Sequence, residues 1–104
     1  MPNKKCKLLI YPKAQSDLES IFDYISNILL NPDAAINLIN DIQNSLENVC
    51  YFPESCPLID NEMIKDQTLR KLIVNNYIVF YRFKNNEIQV VRVLYGMSNY
   101  ASIL

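Results

Sequence analysis

The sequence predicts an α+β domain of two layers, in which a helical hairpin packs on a mainly antiparallel four-stranded sheet in the chain order β-α-α-β-β-β. Three observations carry this. The apolar residues change period, from two at the start to three and four through the middle and back to two near the end. Asn31-Pro32-Asp33 joins two helical stretches with almost no linker. Asn75-Asn76 joins two alternating stretches as a hairpin turn would.

The chain opens with a short strand over residues 6–11 that should end at Pro12, which has no amide to give a sheet. From 14 to 30, Leu18, Ile21, Phe22, Ile25, Ile28 and Leu29 recur at helical spacing along one face. Asp17, Glu19 and Asp23 read as charges near the helix start or on its surface, not as a catalytic carboxylate pair. Asn31 then caps a second helix with Pro32 in its first position, and Ala35, Leu38, Ile39, Ile42, Leu46 and Val49 form its apolar face. Two helices joined so closely must run antiparallel. Tyr51-Phe52-Pro53 closes the second, and residues 54–67, with Pro57 and little periodicity, read as a loop that orders only on a partner.

Three strands follow, over residues 69–74, 77–83 and 87–95, with turns at 75–76 and 84–86. Alternation sets Ile78, Phe80 and Arg82 on one face and Tyr77, Val79, Tyr81 and Phe83 on the other, so one face is expected to be core and the other a working surface. Pattern leaves open which strand the first one joins.

At 104 residues, half of them hydrophobic, the chain is expected to be a single domain spanning 1–104, with no disulfide or metal needed for its core. Cys6, Cys50 and Cys56 lack metal-ligand spacing and read as buried thiols in a cytoplasmic protein. The apolar run behind Lys4, Lys5 and Lys7 is too short for a membrane span or a signal-peptide core. There is no histidine, so the commonest general acid/base and metal ligand is missing, and no cofactor is expected.

Charge is sharply divided along the chain. Residues 14–62 hold nine acids and no Lys or Arg, whereas residues 65–95 hold six cations against two acids, a net +4. This predicts a cationic sheet side opposite an anionic helical side, suited to steering an acidic partner or a phosphate backbone toward the strands.

Tyr11-Pro12-x-Ala14, Asp17-Leu18-x-x-Ile21, Tyr24-Ile25, Asn31-Pro32-x-Ala34-Ala35, Phe52-Pro53, Leu69-Arg70-x-Leu72, residues 76–82 and Arg92-Val93-Leu94-Tyr95-Gly96, in that order and spacing, resemble the RelE/ParE superfamily of toxins from bacterial type II toxin-antitoxin systems. The resemblance covers nearly the whole chain and implies a growth-inhibiting toxin held inactive by a cognate antitoxin in a hetero-oligomer. Members that cut messenger RNA carry an arginine where this chain has Ile78, and basic or aromatic groups after the last strand where it has Gly96-Met97-Ser98-Asn99. The long, uninterrupted helical hairpin is closer to the ParE branch, which implies plasmid stabilization and inhibition of DNA gyrase by contact, without chemistry of the toxin's own.

Two alternatives stay open. In a RelE-like, ribosome-dependent endoribonuclease acting on mRNA, Arg82, Arg92, Tyr81 and Tyr95 would have to replace the usual catalytic set. An attenuated toxin would retain only antitoxin binding. Arg70, Lys71, Arg82 and Arg92 are the candidate contacts with target or antitoxin, and no metal ligands are assigned.

Overall fold

The protein is described here over residues 6–104 of a computed structural model; Lys4 and Lys5 lie outside the described residues. Strand β1 (Lys7–Ile10) gives way at once to helix α1 (Pro12–Asp23), whose first residue is Pro12. A proline there gives up an amide that the first turn of a helix leaves unpaired, so it starts the helix as well as ending the strand.

The first helix is not uninterrupted. After Asp23 it widens into a π turn (Tyr24–Ile28), and the Leu29 amide donates to the Tyr24 carbonyl at 3.0 Å. Leu30 then adopts φ 53°, and the Asn31 amide reaches back to the Ile25 carbonyl at 3.0 Å. A left-handed residue closes the helix here as glycine usually does, at a cost of about 1–2 kcal/mol for leucine. Helix α2 (Pro32–Val49) starts immediately, its Ala34 amide donating to the Asn31 side chain at 3.1 Å, and it buries Ala35, Leu38, Ile42, Leu46 and Val49.

Strands β2 (Arg70–Val74), β3 (Tyr77–Lys84) and β4 (Glu87–Tyr95) form the meander. The second turn is Asn85-Asn86, both at positive φ, as a two-residue turn between twisted strands favours. In the first turn only Asn75 takes positive φ among the described residues. The sheet order is β1-β4-β3-β2, with β1 parallel to β4 in the register Lys7↔Glu87 to Ile10↔Val90 and the other neighbours antiparallel. Between Phe80↔Arg92 and Tyr81↔Val90 the ladder slips by one residue, which makes Val91 the extra residue of a β-bulge.

The helices cover one face of the sheet, burying Val79, Tyr81, Ile88, Val90 and Val93 against Leu38, Ile42 and Leu46. The other face is not simply a working surface. Ile78, Phe80 and Leu94 form a second core there with Ile59, Ile64 and Leu69, joined by Tyr100, Ala101 and Leu104 of and beside a short C-terminal helix α3 (Tyr100–Ile103). Residues 54–67 are therefore ordered by the chain's own sheet, not by a partner. The Ile59 amide donates to the Leu69 carbonyl at 2.9 Å, and the Lys71 amide to the Pro57 carbonyl at 3.0 Å. Each large apolar side chain sealed in this way contributes about 1.5–3 kcal/mol, enough to offset the ordering of a few loop residues.

Candidate functional site

Arg92 lies just past the bulge, on the side of β4 that β1 stops covering at Ile10↔Val90. Asp17 of α1 fills that place. Its carboxylate accepts from Arg92 Nε at 2.7 Å and Nη2 at 2.9 Å, and from the Val93 amide at 3.0 Å. Asp17 is 14% exposed and Arg92 19%, so Asp17 is an interior partner and not the surface charge the sequence suggests. The hydrogen bonds that the guanidinium donates to Asp17 hold its pKa above its usual value against the opposing effect of burial.

Arg82 is also fully engaged. Its Nε donates to Gln89 Oε1 at 2.9 Å, Nη2 to the Tyr11 hydroxyl at 3.2 Å, and Nη1 to the Asp66 carboxylate, while its guanidinium carbon lies 5.6 Å from the Tyr11 ring centroid. Tyr11 donates to Gln89 Oε1 at 3.0 Å and Gln89 Nε2 to Glu87 at 2.9 Å, which closes the network. A shallow polar concavity of 460 Å³ opens beside it, where Thr68, Lys84 and Asn85 also reach the surface. The pKa of Arg82 is raised, first by the Tyr11 hydrogen bond and then by Asp66.

Asp66 ties the second core's loop to this network. Burial pushes its carboxyl up, but bonds from the Thr68 hydroxyl and amide, together with Arg82, bring it below the ordinary value. A folded pKa below the unfolded one, about 3.9, means that this anchoring is present above about pH 4 and lost as pH falls through the folded value. The Ile64 and Leu69 amide resonances should therefore shift on acidification below about pH 4, and Asp66→Asn should remove that step. Shifts unaltered in the variant would count against the anchor.

Arg70 donates to the Cys56 carbonyl at 2.7 Å and the Glu54 carbonyl at 3.3 Å, with the Glu54 carboxylate 3.6 Å away. Thus all three sheet arginines are met by carboxylates of the chain, two of them from the anionic segment. The cationic face that sequence alone predicts is correspondingly muted. Among the described residues, Lys71 and Lys84 have no ion pair. Arg70 and Lys71 stand opposite Tyr81 and Phe80, and so on opposite faces of the sheet.

Tyr81 is fully buried and donates to the Pro53 carbonyl at 3.0 Å, and burial followed by its contact with Cys56 pushes its pKa well up. Because the folded value exceeds the unfolded one, about 10, the stability that this hydroxyl contributes is whole below pH 10 and falls as pH rises through the folded value. In an ultraviolet titration of the native protein, Tyr81→Phe should leave the absorbance rise near pH 10 unchanged; a rise reduced by one tyrosine would show that Tyr81 ionises there.

Tyr95 is half exposed at the other end of β4, edge-on to Tyr77 with ring centroids 5.6 Å apart. Burial first, then the neighbouring Tyr95 and Tyr24, raise the Tyr77 pKa. Arg82, Arg92, Tyr81 and Tyr95 are thus each held by different neighbours: a polar network, Asp17, the Pro53 carbonyl and Tyr77. Asp66, Gln89 and Tyr11 are absent from the sequence candidates. Gln89 had a signal, being the lone uncharged polar residue in the run EIQVVRVLY.

Two apolar grooves flank the hairpin. One, of 620 Å³, lies between α1, α2 and β1 and is floored by Leu8, Ile10, Leu18, Phe22, Ile39 and Ile42. The other, of 870 Å³, runs between the π turn and the end of the β3–β4 hairpin, past Tyr24, Leu29, Tyr77 and Tyr95. Among the described residues there is no group of three or more His, Cys, Asp or Glu that would hold a metal, and no helix is long and apolar enough to cross a membrane.

The fold is similar to that of a chain in the chromosomal ParDE toxin-antitoxin system of P. aeruginosa, at 22% identity and TM-score 0.72, over 88% of this chain and 96% of that one. It is also similar to a chain of the RelBE2 toxin-antitoxin complex from Mycobacterium tuberculosis, at 12% identity and TM-score 0.60, over 88% and 99%. No curated protein matches the sequence. Residues 8–100 match the family described as the ParE toxin of the type II toxin-antitoxin system parDE, and over that span the chain belongs to the ParE toxin family.

Proposed function

We propose that this protein inhibits growth by binding a protein target, DNA gyrase, and that a cognate antitoxin neutralises it in a hetero-oligomer. It acts in the cytoplasm, where gyrase works, and it stabilises the replicon that encodes the pair. The observation that carries the non-catalytic reading is the commitment of its polar groups. Each sheet arginine is bound to a carboxylate, and Tyr81 is buried with its proton held on oxygen. Cleavage by attack of a ribose hydroxyl needs a base, an acid and free cationic groups around the phosphorane. Here all three sheet arginines are engaged within the fold. Both solved relatives come from toxin-antitoxin systems, which supports the antitoxin partner.

The test is a pair of assays on purified protein. Gyrase supercoiling should be inhibited, and a message on ribosomes should stay intact. A message cut in the ribosomal A site, with cutting lost in Arg82→Ala, would replace this reading with a ribonuclease. Normal growth on expression without antitoxin, with neither activity, would mark an attenuated toxin.

A further inference from the structure

The groove between the π turn and the end of the β3–β4 hairpin combines an apolar wall with a cluster of phenols. Ile21, Ile25 and Leu29 line its helical side, where Tyr24, Tyr77 and Tyr95 also converge. Tyr77 and Tyr95 stand edge to face, and Tyr24 is near enough to join Tyr95 in raising the Tyr77 pKa. Among the described residues none of these three hydroxyls has a hydrogen-bond partner, whereas those of Tyr11 and Tyr81 are bonded within the chain. No Lys or Arg lines the groove, and its one carboxylate, Asp17, is taken up by Arg92.

The edge beside this groove is apolar and strained. Ile28, Leu29 and Leu30 are exposed in succession, and Leu30, 80% exposed, holds its left-handed conformation without belonging to either core. Tyr24 opens the π turn itself. Widened helical turns and non-glycine residues at positive φ recur where a chain meets a ligand. A run of exposed apolar side chains marks a surface that a partner covers.

We infer that this groove receives an arginine side chain of the target protein, its guanidinium lying against the tyrosine rings and the apolar edge closing over it. That the target is gyrase rests on the functional reading above; the charge of the anchor rests on the groove. The ring faces carry the negative part of the aromatic quadrupole and the phenol oxygens accept hydrogen bonds, so a planar guanidinium meets both at once. Its methylene stem packs on Ile21, Ile25 and Leu29. An apolar anchor would strip water from three hydroxyls and give no bond in return. An acidic anchor would meet the ring faces and a helical wall drawn from residues 14–62, which hold nine acids and no Lys or Arg. An arginine sealed in a pocket by apolar contacts is a recurrent form of binding hot spot.

The charge is tested by nuclear magnetic resonance titration of the full-length protein with acetyl-arginine methylamide and its neutral isostere, acetyl-citrulline methylamide. The arginine compound should shift the resonances of Tyr24, Tyr77, Tyr95 and Leu29 first, and the citrulline compound should bind at least about fivefold more weakly. Tyr24→Leu with Tyr95→Leu removes two half-exposed rings that lie outside both cores, and should bring the preference below about twofold. Tyr24→Phe with Tyr95→Phe keeps the rings without their hydroxyls and should retain part of it. Equal binding of the two compounds by the parent, or a preference unaltered in the leucine pair, overturns the inference.

Gyrase supercoiling tests the partner. The leucine pair should need at least about tenfold more protein than the parent for half-inhibition. A leucine pair as potent as an inhibitory parent overturns the groove as the target surface. Gyrase untouched by the parent overturns the functional reading instead, and the arginine site then stands or falls on the titration.

Discussion

Replacing Asp17 with Ala should destabilise the protein by about 3 kcal/mol, because it strands a guanidinium and a backbone amide together. Arg92 would lose both of its bonds at 19% exposure, and the Val93 N–H would face the place that β1 never reaches. The upper part of the range for a broken buried pair does not apply, since some solvent reaches both partners. Urea denaturation should show a lower midpoint with an unchanged slope. Exchanging both partners for apolar residues, Asp17→Leu with Arg92→Met, should recover part of the loss, since no charge is then left alone. A midpoint for Asp17→Ala within error of the parent would remove Asp17 from the account of how α1 is fastened to the sheet.

Phe80→Ala should cost about 3–5 kcal/mol, the range for truncating a sealed aromatic side chain. Phe80 is fully buried and packs on Tyr100 with ring centroids 5.2 Å apart. It is the largest buried residue of the second core, so its loss should also loosen the segment bearing Ile59 and Ile64 and the C-terminal helix. Amide exchange at those positions should accelerate more than at Leu38 or Ile42, which belong to the helical side. Uniform acceleration would mean that the two cores open as one unit. Ile73→Ala, on a side chain 68% exposed, is the control and should change stability by less than about 0.5 kcal/mol.

Periodicity and turn chemistry were enough to locate both long helices, the Asn31 cap and all four strands within a residue or two. Those signals are local. What sequence does not display is what depends on distant partners. Ile78 and Phe80 alternate with Val79 and Tyr81 equally well whether one face is covered or both, so the second core was invisible from the strand. The loop supplies it with isolated apolar residues, Ile59 and Ile64, which have no period to detect. The bulge at Val91 has no glycine to announce it, and the π turn sits in a helical pattern that reads as continuous. Asp17 looks like any acid early in a helix until β1 is known to stop at Ile10. The site residues suffered most, because an arginine in a strand looks the same from sequence whether it faces a partner or a carboxylate of its own chain.

The parallel pairing of β1 with β4 joins Lys7 to Glu87, near the two ends of the chain. The first strand to be synthesised must wait for the last before it has a neighbour, and such distant closure slows folding. A product truncated before β4 therefore leaves β1 and β3 without the strand that joins them, and the sheet cannot assemble.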